Sequence, residues 1–334
     1  MAGAEPVAYS LITFTDPNTG EPRTGLETGG QVLPLTDANL DLPGDGSITM
    51  QAVIEHWDKA EPQLDLLAEQ STTEQSSDAP SWLNSEELTV LAPLQPRQVL
   101  QAGANYRQHV IDLAVAHRDG GGTEEEIRAR ITATMDRRAE GTPYFFIGLP
   151  TAMASATEDL VLPSYSKTHD WELELAAVIG KRAFRVSPEE ALDHVFGYTM
   201  VNDITTRELV FRKDMPAIGS DWFRAKNAPG FLPTGPLVLP AKFVEDPQDL
   251  MVTLRLNGET MQKESTADMI FTVAQLISHA SQQMPLLPGD LILTGSPSGN
   301  GAHWGRMLRD GDVMEGTITG LGTQLVHCRD EVAP

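Results

Sequence analysis

Trp171-Glu172-Leu173-Glu174-Leu175-Ala176-Ala177-Val178-Ile179 reads as one β-strand. Residues two apart share a face of a strand. Leu173, Leu175, Ala177 and Ile179 therefore form one apolar face, and Glu172, Glu174, Ala176 and Val178 form the other. The second face opens with two acids and turns apolar, which places the carboxylates at the rim of a buried region. Two like charges about 6 Å apart repel by roughly 3 kcal/mol at an effective dielectric of about 20, and a bound cation removes that cost. Glu-x-Glu also decorates solvated strand faces, so the pair alone does not decide. Gly197-Tyr198-Thr199-Met200-Val201-Asn202-Asp203 supplies a third acid, at the C-terminal end of a second strand. Glu172, Glu174 and Asp203 are the candidate metal ligands. An all-carboxylate set suits a hard cation, Mg²⁺ first and then Mn²⁺ or Ca²⁺.

Thr205-x-x-Glu208 follows at once and predicts a capping box opening a helix over about 205 to 213. In that helix Arg207, four residues after Asp203, turns back toward the carboxylates, either to bind a substrate carboxylate or to pair with Asp203. Further short helices are expected near 188 to 194 and 272 to 283, in a chain otherwise made of strands from 144 onward. Upstream, residues 105 to 141 predict two helices broken by Gly120-Gly121-Gly122. Thr123 caps the second, and Glu124, Glu125 and Glu126 occupy its dipole-favoured first turn. The triple glycine is a candidate hinge, making this segment a candidate lid over the site; a surface insertion is the plainer reading.

At the N-terminus, residues 7 to 40 read as short strands with turns at Pro17-Asn18-Thr19-Gly20 and Gly29-Gly30. One helix is expected at about 49 to 69, capped by Ser47. The polar run from Glu69 to Asp78 reads as a surface linker, dividing a small N-terminal domain, 1–92, from a catalytic domain, 93–330. Regular strand–helix alternation is missing, so the fold class is α+β with a strand-rich core and not a doubly wound sheet.

Composition narrows the function. The 334 residues carry 47 acids against 24 bases, a formal charge of −23, which opposes binding to nucleic acid or anionic membranes. The single cysteine, Cys328, excludes an intramolecular disulfide and a thiolate zinc cluster, and its alternating strand context points to packing. The N-terminus lacks the basic and apolar regions of a secretory signal, and no apolar run approaches the roughly 20 residues of a membrane helix. A soluble, cytoplasmic enzyme is the expectation.

These motifs resemble the fumarylacetoacetate hydrolase family. Glu172-x-Glu174 with Asp203 is similar to its metal site, and Gly103-Ala104-Asn105-Tyr106-Arg107-Gln108-His109 to its Gly-x-Asn-Tyr-x-x-His stretch. Asn202-Asp203-Ile204-Thr205-Thr206-Arg207 resembles its Asp-x-(Ser/Thr)-x-Arg element, and Ala225-Lys226 falls where the family keeps a lysine after a tryptophan, here Trp222. Met269-Ile270-Phe271, Pro288-Gly289-Asp290 and Thr294-Gly295-Ser296-Pro297-Ser298-Gly299 follow in order, so the likeness spans roughly 93 to 328. Residues 1–92 resemble the family's small N-terminal domain only loosely.

The resemblance implies a β-rich mixed-strand catalytic domain, commonly a homodimer, acting on β-dicarbonyl or 2-oxo acid substrates. Hydrolysis of a C–C bond in an acylpyruvate-like compound is the leading expectation. A decarboxylase, hydratase or lyase/isomerase on the same site comes next, then a non-catalytic binding relative. His109 is the candidate water-activating base, oriented by Asp112 one turn later, and Lys226 would face a developing oxyanion. Tyr106, Arg207, Thr294, Gly295 and Ser296 are candidate substrate contacts. Outside the resemblance, His109 reads as a hydrogen-bonded packing histidine, Lys226 as a solvated surface lysine, and 294 to 297 as an ordinary turn. His169 and His303 read as supporting or surface residues. Three positions depart from the family pattern: Asp112 for a frequent Glu, Gly148 for a lysine, and Val210 for a glutamine. Fewer polar groups imply a more apolar substrate.

Overall fold

Both faces of Leu173–Ile179 are buried, and this explains the architecture. Leu173, Leu175, Ala177 and Ile179 join one apolar cluster, while Ala176 and Val178 join another. The two faces read from the sequence are therefore correct, but neither meets solvent. The computed structural model describes residues 7–44, 48–71, 81–116 and 120–332, apart from the side chains of 109, 113 and 116. Within them the α+β expectation holds.

Leu173–Ile179 lies inside a 13-stranded sheet, antiparallel to Val195–Asn202 on one side and to Leu291–Leu293 on the other. Leu291–Leu293 pairs in parallel with Val99–Ala102, which pairs antiparallel with Phe145–Gly148. In the other direction Val195–Asn202 leads through Leu237–Pro240 to Ser10–Thr15, Pro22–Thr28 and Gln31–Pro34. The N-terminal strands thus extend the central sheet. Leu11, Leu26, Val53, Ile54 and Leu64 share one cluster with Ala176, Val178 and Val201.

A five-stranded sheet, built around Met251–Leu256 and Val313–Ile318, covers the opposite face. Val252, Leu254, Leu256, Met314 and Val326 pack there with the helix Val273–Gln283, through Val273, Leu276, Ile277 and Ala280. Cys328 is buried in this layer as a packing residue.

Several local expectations need correction. The single helix at 49 to 69 is two, Met50–Glu55 and Trp57–Gln70, interrupted at His56. Thr49 caps the first by accepting from the Ala52 amide at 3.1 Å, while Ser47 lies outside the described residues. Glu69 and Gln70 finish the second helix, and 72–80 of the expected linker lie outside the described residues. The strand expected from Trp171 begins at Leu173, and the one expected to end at Asp203 ends at Asn202.

The helix over 205 to 213 does not form. Thr205–Thr206 instead pairs with His169–Asp170, and one 3₁₀ turn follows at Arg207–Leu209. Glu208 receives a bond from Ser166 across the chain, so the capping box is absent. Elsewhere local rules suffice: Thr123 and Glu126 form their box at the head of Glu124–Ala139.

Trp171 anchors the layer between the sheets. It is fully buried, and its indole Nε1 donates to the Gly299 carbonyl at 3.1 Å. Trp171→Ala should lower stability by about 3–5 kcal/mol, through lost burial and the cavity left behind. Urea unfolding would read this as a lower midpoint at unchanged slope. A loss under about 1 kcal/mol would mean that the surrounding layer collapses into the space.

Candidate metal centre

Pairing places the three acids together. Asp203 follows the strand that flanks Glu174, and its amide donates to the Glu172 carbonyl at 2.8 Å. Glu172, Glu174 and Asp203 each offer a carboxylate oxygen, and these atoms all lie within 4.8 Å of one another. The acids do not stand at a rim. Their exposures are 8%, 2% and 1%, because the strand bearing Glu174 lies inside the sheet.

Each acid is held differently. Glu174 Oε2 accepts from the Gly295 amide at 2.8 Å. Gly295 has φ +91°, and a Cβ there would lie 2.9 Å from Asn105 Cβ, so glycine alone brings this amide to the acid without strain. Glu172 accepts at Oε1 from Arg207 Nη2 at 2.7 Å, and at Oε2 from Lys226 Nζ at 2.5 Å and Thr205 Oγ1 at 3.1 Å. Lys226 also pairs with Asp203 Oδ2, whose other oxygen, Oδ1, is buried without a hydrogen-bond partner among the described residues.

Lys226 is therefore no surface lysine: it is 3% exposed at the end of the short helix Trp222–Lys226. Its ammonium lies 5.3 Å from the ring centre of Phe146 and 5.9 Å from that of Trp222. Arg207 does not pair with Asp203. It reaches Asp170 Oδ2 at 2.6 Å as well as Glu172. The reason is the missing helix: as the residue after a short strand, Arg207 faces the neighbouring strand, which carries Asp170.

Electrostatics carry the clearest signal. Asp170, Glu172, Glu174 and Asp203 face Lys226 and Arg207, four carboxylates against two cations. Two formal negative charges are left over among the described residues of this cluster. Burial above all, then repulsion from Asp203, pushes the Glu174 carboxyl well above the usual carboxylate range. Burial raises Asp203 too, with Lys226 opposing and Glu172 adding to the rise. Burial works against the Lys226 ammonium, yet Asp203, Glu172 and Glu174 outweigh it and hold its pKa above the ordinary value. Acids and base are displaced in the same sense, as expected where negative charge is in excess. The unpartnered Asp203 oxygen, the all-oxygen donor set and the charge surplus of two fit a hard divalent cation.

The other candidate residues are placed as follows. Tyr106 is fully buried, and burial followed by the Glu174 charge drives its phenol pKa well up. Thr294 Oγ1 donates to the Leu175 carbonyl at 2.9 Å, and Ser296 Oγ accepts from Gln262 Nε2 at 2.8 Å. With the Gly295 amide on Glu174, all three positions have protein partners. Asp112 accepts from Gln108 Nε2 at 2.6 Å, Ser298 Oγ at 2.8 Å and Arg128 Nη1 at 3.0 Å. His109 sits on the helix Arg107–Ala116, but its side chain lies outside the described residues. His169 is buried between Thr206 and the Pro163 carbonyl, a structural role. His303 Nδ1 is buried with no partner among the described residues.

Sequence reasoning missed Asp170, which accepts from the Trp171 and Ala302 amides while holding Arg207. The signal was present: acids recur at 170, 172 and 174, every second residue.

Residues 98–328 match the family model described as fumarylacetoacetate (FAA) hydrolase, C-terminal. The chain belongs to the fumarylacetoacetate hydrolase family. It is similar to a mitochondrial oxaloacetate tautomerase of Bos taurus, 30% identical over 317 residues, covering 93% of this chain and 89% of that protein. It is also similar to a 2,4-didehydro-3-deoxy-L-rhamnonate hydrolase of a Sphingomonas strain, 42% identical over 185 residues, 54% of this chain and 63% of that one. Among solved structures, a fumarylacetoacetate hydrolase of Exiguobacterium antarcticum aligns with a TM-score of 0.72 at 27% identity, covering 97% of this chain and all of that one. No helix among the described residues is long and apolar enough to cross a membrane.

Proposed function

We propose that this family member is a divalent-cation-dependent hydrolase of a C–C bond in an acylpyruvate-like 2-oxo acid, with Mg²⁺ as the preferred ion. The observation that supports it most is the buried cluster of four carboxylates and two cations, short of neutrality by two charges. A cation held by Glu172, Glu174 and Asp203 would polarise the substrate carbonyl as a Lewis acid. Lys226 presents its ammonium beside the same carboxylates, where negative charge develops on the 2-oxo acid oxygen. His109, with Asp112 three residues on, takes the proton of water as its oxygen adds to the distal carbonyl carbon. The C–C bond then breaks with its electron pair passing into the 2-oxo acid enolate. Protonation of that enolate at carbon completes a carboxylic acid and a 2-oxo acid.

A second reading is keto–enol tautomerisation of an oxaloacetate-like acid, which passes through the enolate of the intact 2-oxo acid and consumes no water. It is favoured by the oxaloacetate tautomerase likeness, which extends over 93% of this chain. The three protein partners of Asp112 favour it further, since they leave that carboxylate fewer lone pairs with which to orient a base. A homodimer belongs to the proposal, supported by exposed Phe211, Ile218 and Phe223 on one segment.

Turnover of acylpyruvates, fumarylacetoacetate and oxaloacetate, each with Mg²⁺, Mn²⁺ or EDTA, tests both readings. Two cleavage products, lost on chelation, establish hydrolysis. Isomerised oxaloacetate with no cleavage establishes the second reading, and metal-loaded protein inert on the whole panel removes both. His109→Ala should lower C–C hydrolysis by roughly 10²–10⁴-fold while sparing cation binding. Any decarboxylation should fall much less, and equal losses in both activities would remove His109 from water activation.

A further inference from the structure

Beside the triad lies a buried amide that none of the chemistry above uses. Gln101 is 1% exposed, and neither Oε1 nor Nε2 has a hydrogen-bond partner among the described residues. Register places it. Gln101 pairs across to Leu293, Leu293 to Ala176, and Glu174 lies two residues before Ala176 on the same strand. Directly paired residues share a sheet face, so Gln101 and Glu174 project from the same one.

A buried polar side chain without partners is rare enough in native structures to require a cause, such as an ion, a water or a catalytic role. Asp203 Oδ1 is likewise buried without a hydrogen-bond partner among the described residues, and is its counterpart. The Gln101 amide lies close enough to Asp203 to favour its ionised form. The opposite strand makes room: a Cβ on Gly148 would lie 2.6 Å from Gln101 Oε1, so any larger residue at 148 would displace the amide.

We propose that Gln101 is a positioning residue of the cation site, donating from Nε2 to Asp203 Oδ1 and fixing which edge of that carboxylate meets the ion, with Gly148 as the space that admits it. This rests on the triad being a cation site, and it adds to that site a neutral residue that touches neither substrate nor, by itself, the ion. Lys226 holds one oxygen of Asp203. An amide on the other would leave the carboxylate a single orientation. Partners of this kind typically change metal affinity by roughly 10–100-fold.

The test uses the full chain, with calorimetric titration of Mg²⁺ and Mn²⁺ and thermal unfolding in EDTA. Gln101→Met keeps length and volume but removes both polar ends. Its affinity for either ion should fall roughly 10–100-fold. Its melting temperature in EDTA should stay level or rise, because in the metal-free chain the amide removed is buried without hydrogen-bond partners among the described residues. Gly148→Ala, which changes no polar group, should weaken affinity in the same direction by pushing the amide aside. Wild-type affinity in Gln101→Met would overturn the proposal. So would a lower melting temperature in EDTA with affinity unchanged, since that marks a packing role alone. Should Gly148→Ala fail to fold, Gln101→Met decides by itself. Wild-type protein that binds neither ion overturns the cation reading and this inference with it; a binding wild type with an indifferent Gln101→Met overturns only the latter.

Discussion

Glu174→Gln is expected to abolish divalent-cation binding measurable by calorimetry. The substitution keeps the side chain's size, and its carbonyl can still accept from the Gly295 amide, so the local fold survives. What it removes is one of three anionic oxygens gathered within 4.8 Å. Loss of an outer partner already costs roughly 10–100-fold in affinity, and loss of a ligand should exceed that. The same change relieves repulsion in the metal-free protein, because burial and Asp203 both disfavour the ionised Glu174. Its melting temperature in EDTA should therefore hold or increase, while the stabilisation that Mg²⁺ gives the parent chain disappears. Undiminished affinity in this variant would sink the triad as a metal site.

Lys226→Met should be strongly destabilising. The ammonium is almost fully buried and pairs with Glu172 and Asp203 at once. Removing one partner of a buried ion pair leaves uncompensated charge and costs about 3–5 kcal/mol. The variant should nonetheless bind a divalent cation more tightly than the parent chain, since a positive charge beside the same oxygens has gone. An ion at a hundredfold excess over its Kd would return about 2.7 kcal/mol. Turnover should be lost even in the metal-loaded variant, because the charge facing the oxyanion is missing. Urea unfolding with EDTA and with Mg²⁺, alongside calorimetry, gives all three readouts. A variant that unfolds at the parent's midpoint and binds the ion less tightly would show that Lys226 supports the site differently.

The two predictions rest on unequal shares of sequence and structure. Period-two spacing was enough to place Glu174 on the same face as Ala176 and Val178, because side-chain alternation is a property of any strand. The Thr123–Glu126 capping box was equally legible, since its bonds join residues three apart. The order of the family blocks pointed to the family, and residues 98–328 match its model.

What sequence left open was always a matter of long-range contact. Thr205 and Glu208 had the right spacing for a helix cap, but pairing of Thr205–Thr206 with His169–Asp170 took that backbone first. Arg207 was consequently turned to Asp170 and Glu172 instead of Asp203. Lys226 could as well have been a solvated lysine; only the packing of its short helix against the strand Phe145–Gly148 buries it among the acids. The depth of those acids depended on the sheet continuing beyond both edges of Leu173–Ile179, which that strand cannot record. Alternation, capping and motif order are short-range and were determined by the sequence alone. Burial, charge balance and the unpartnered amide of Gln101 arise between strands distant in the chain, and only the tertiary structure decided them.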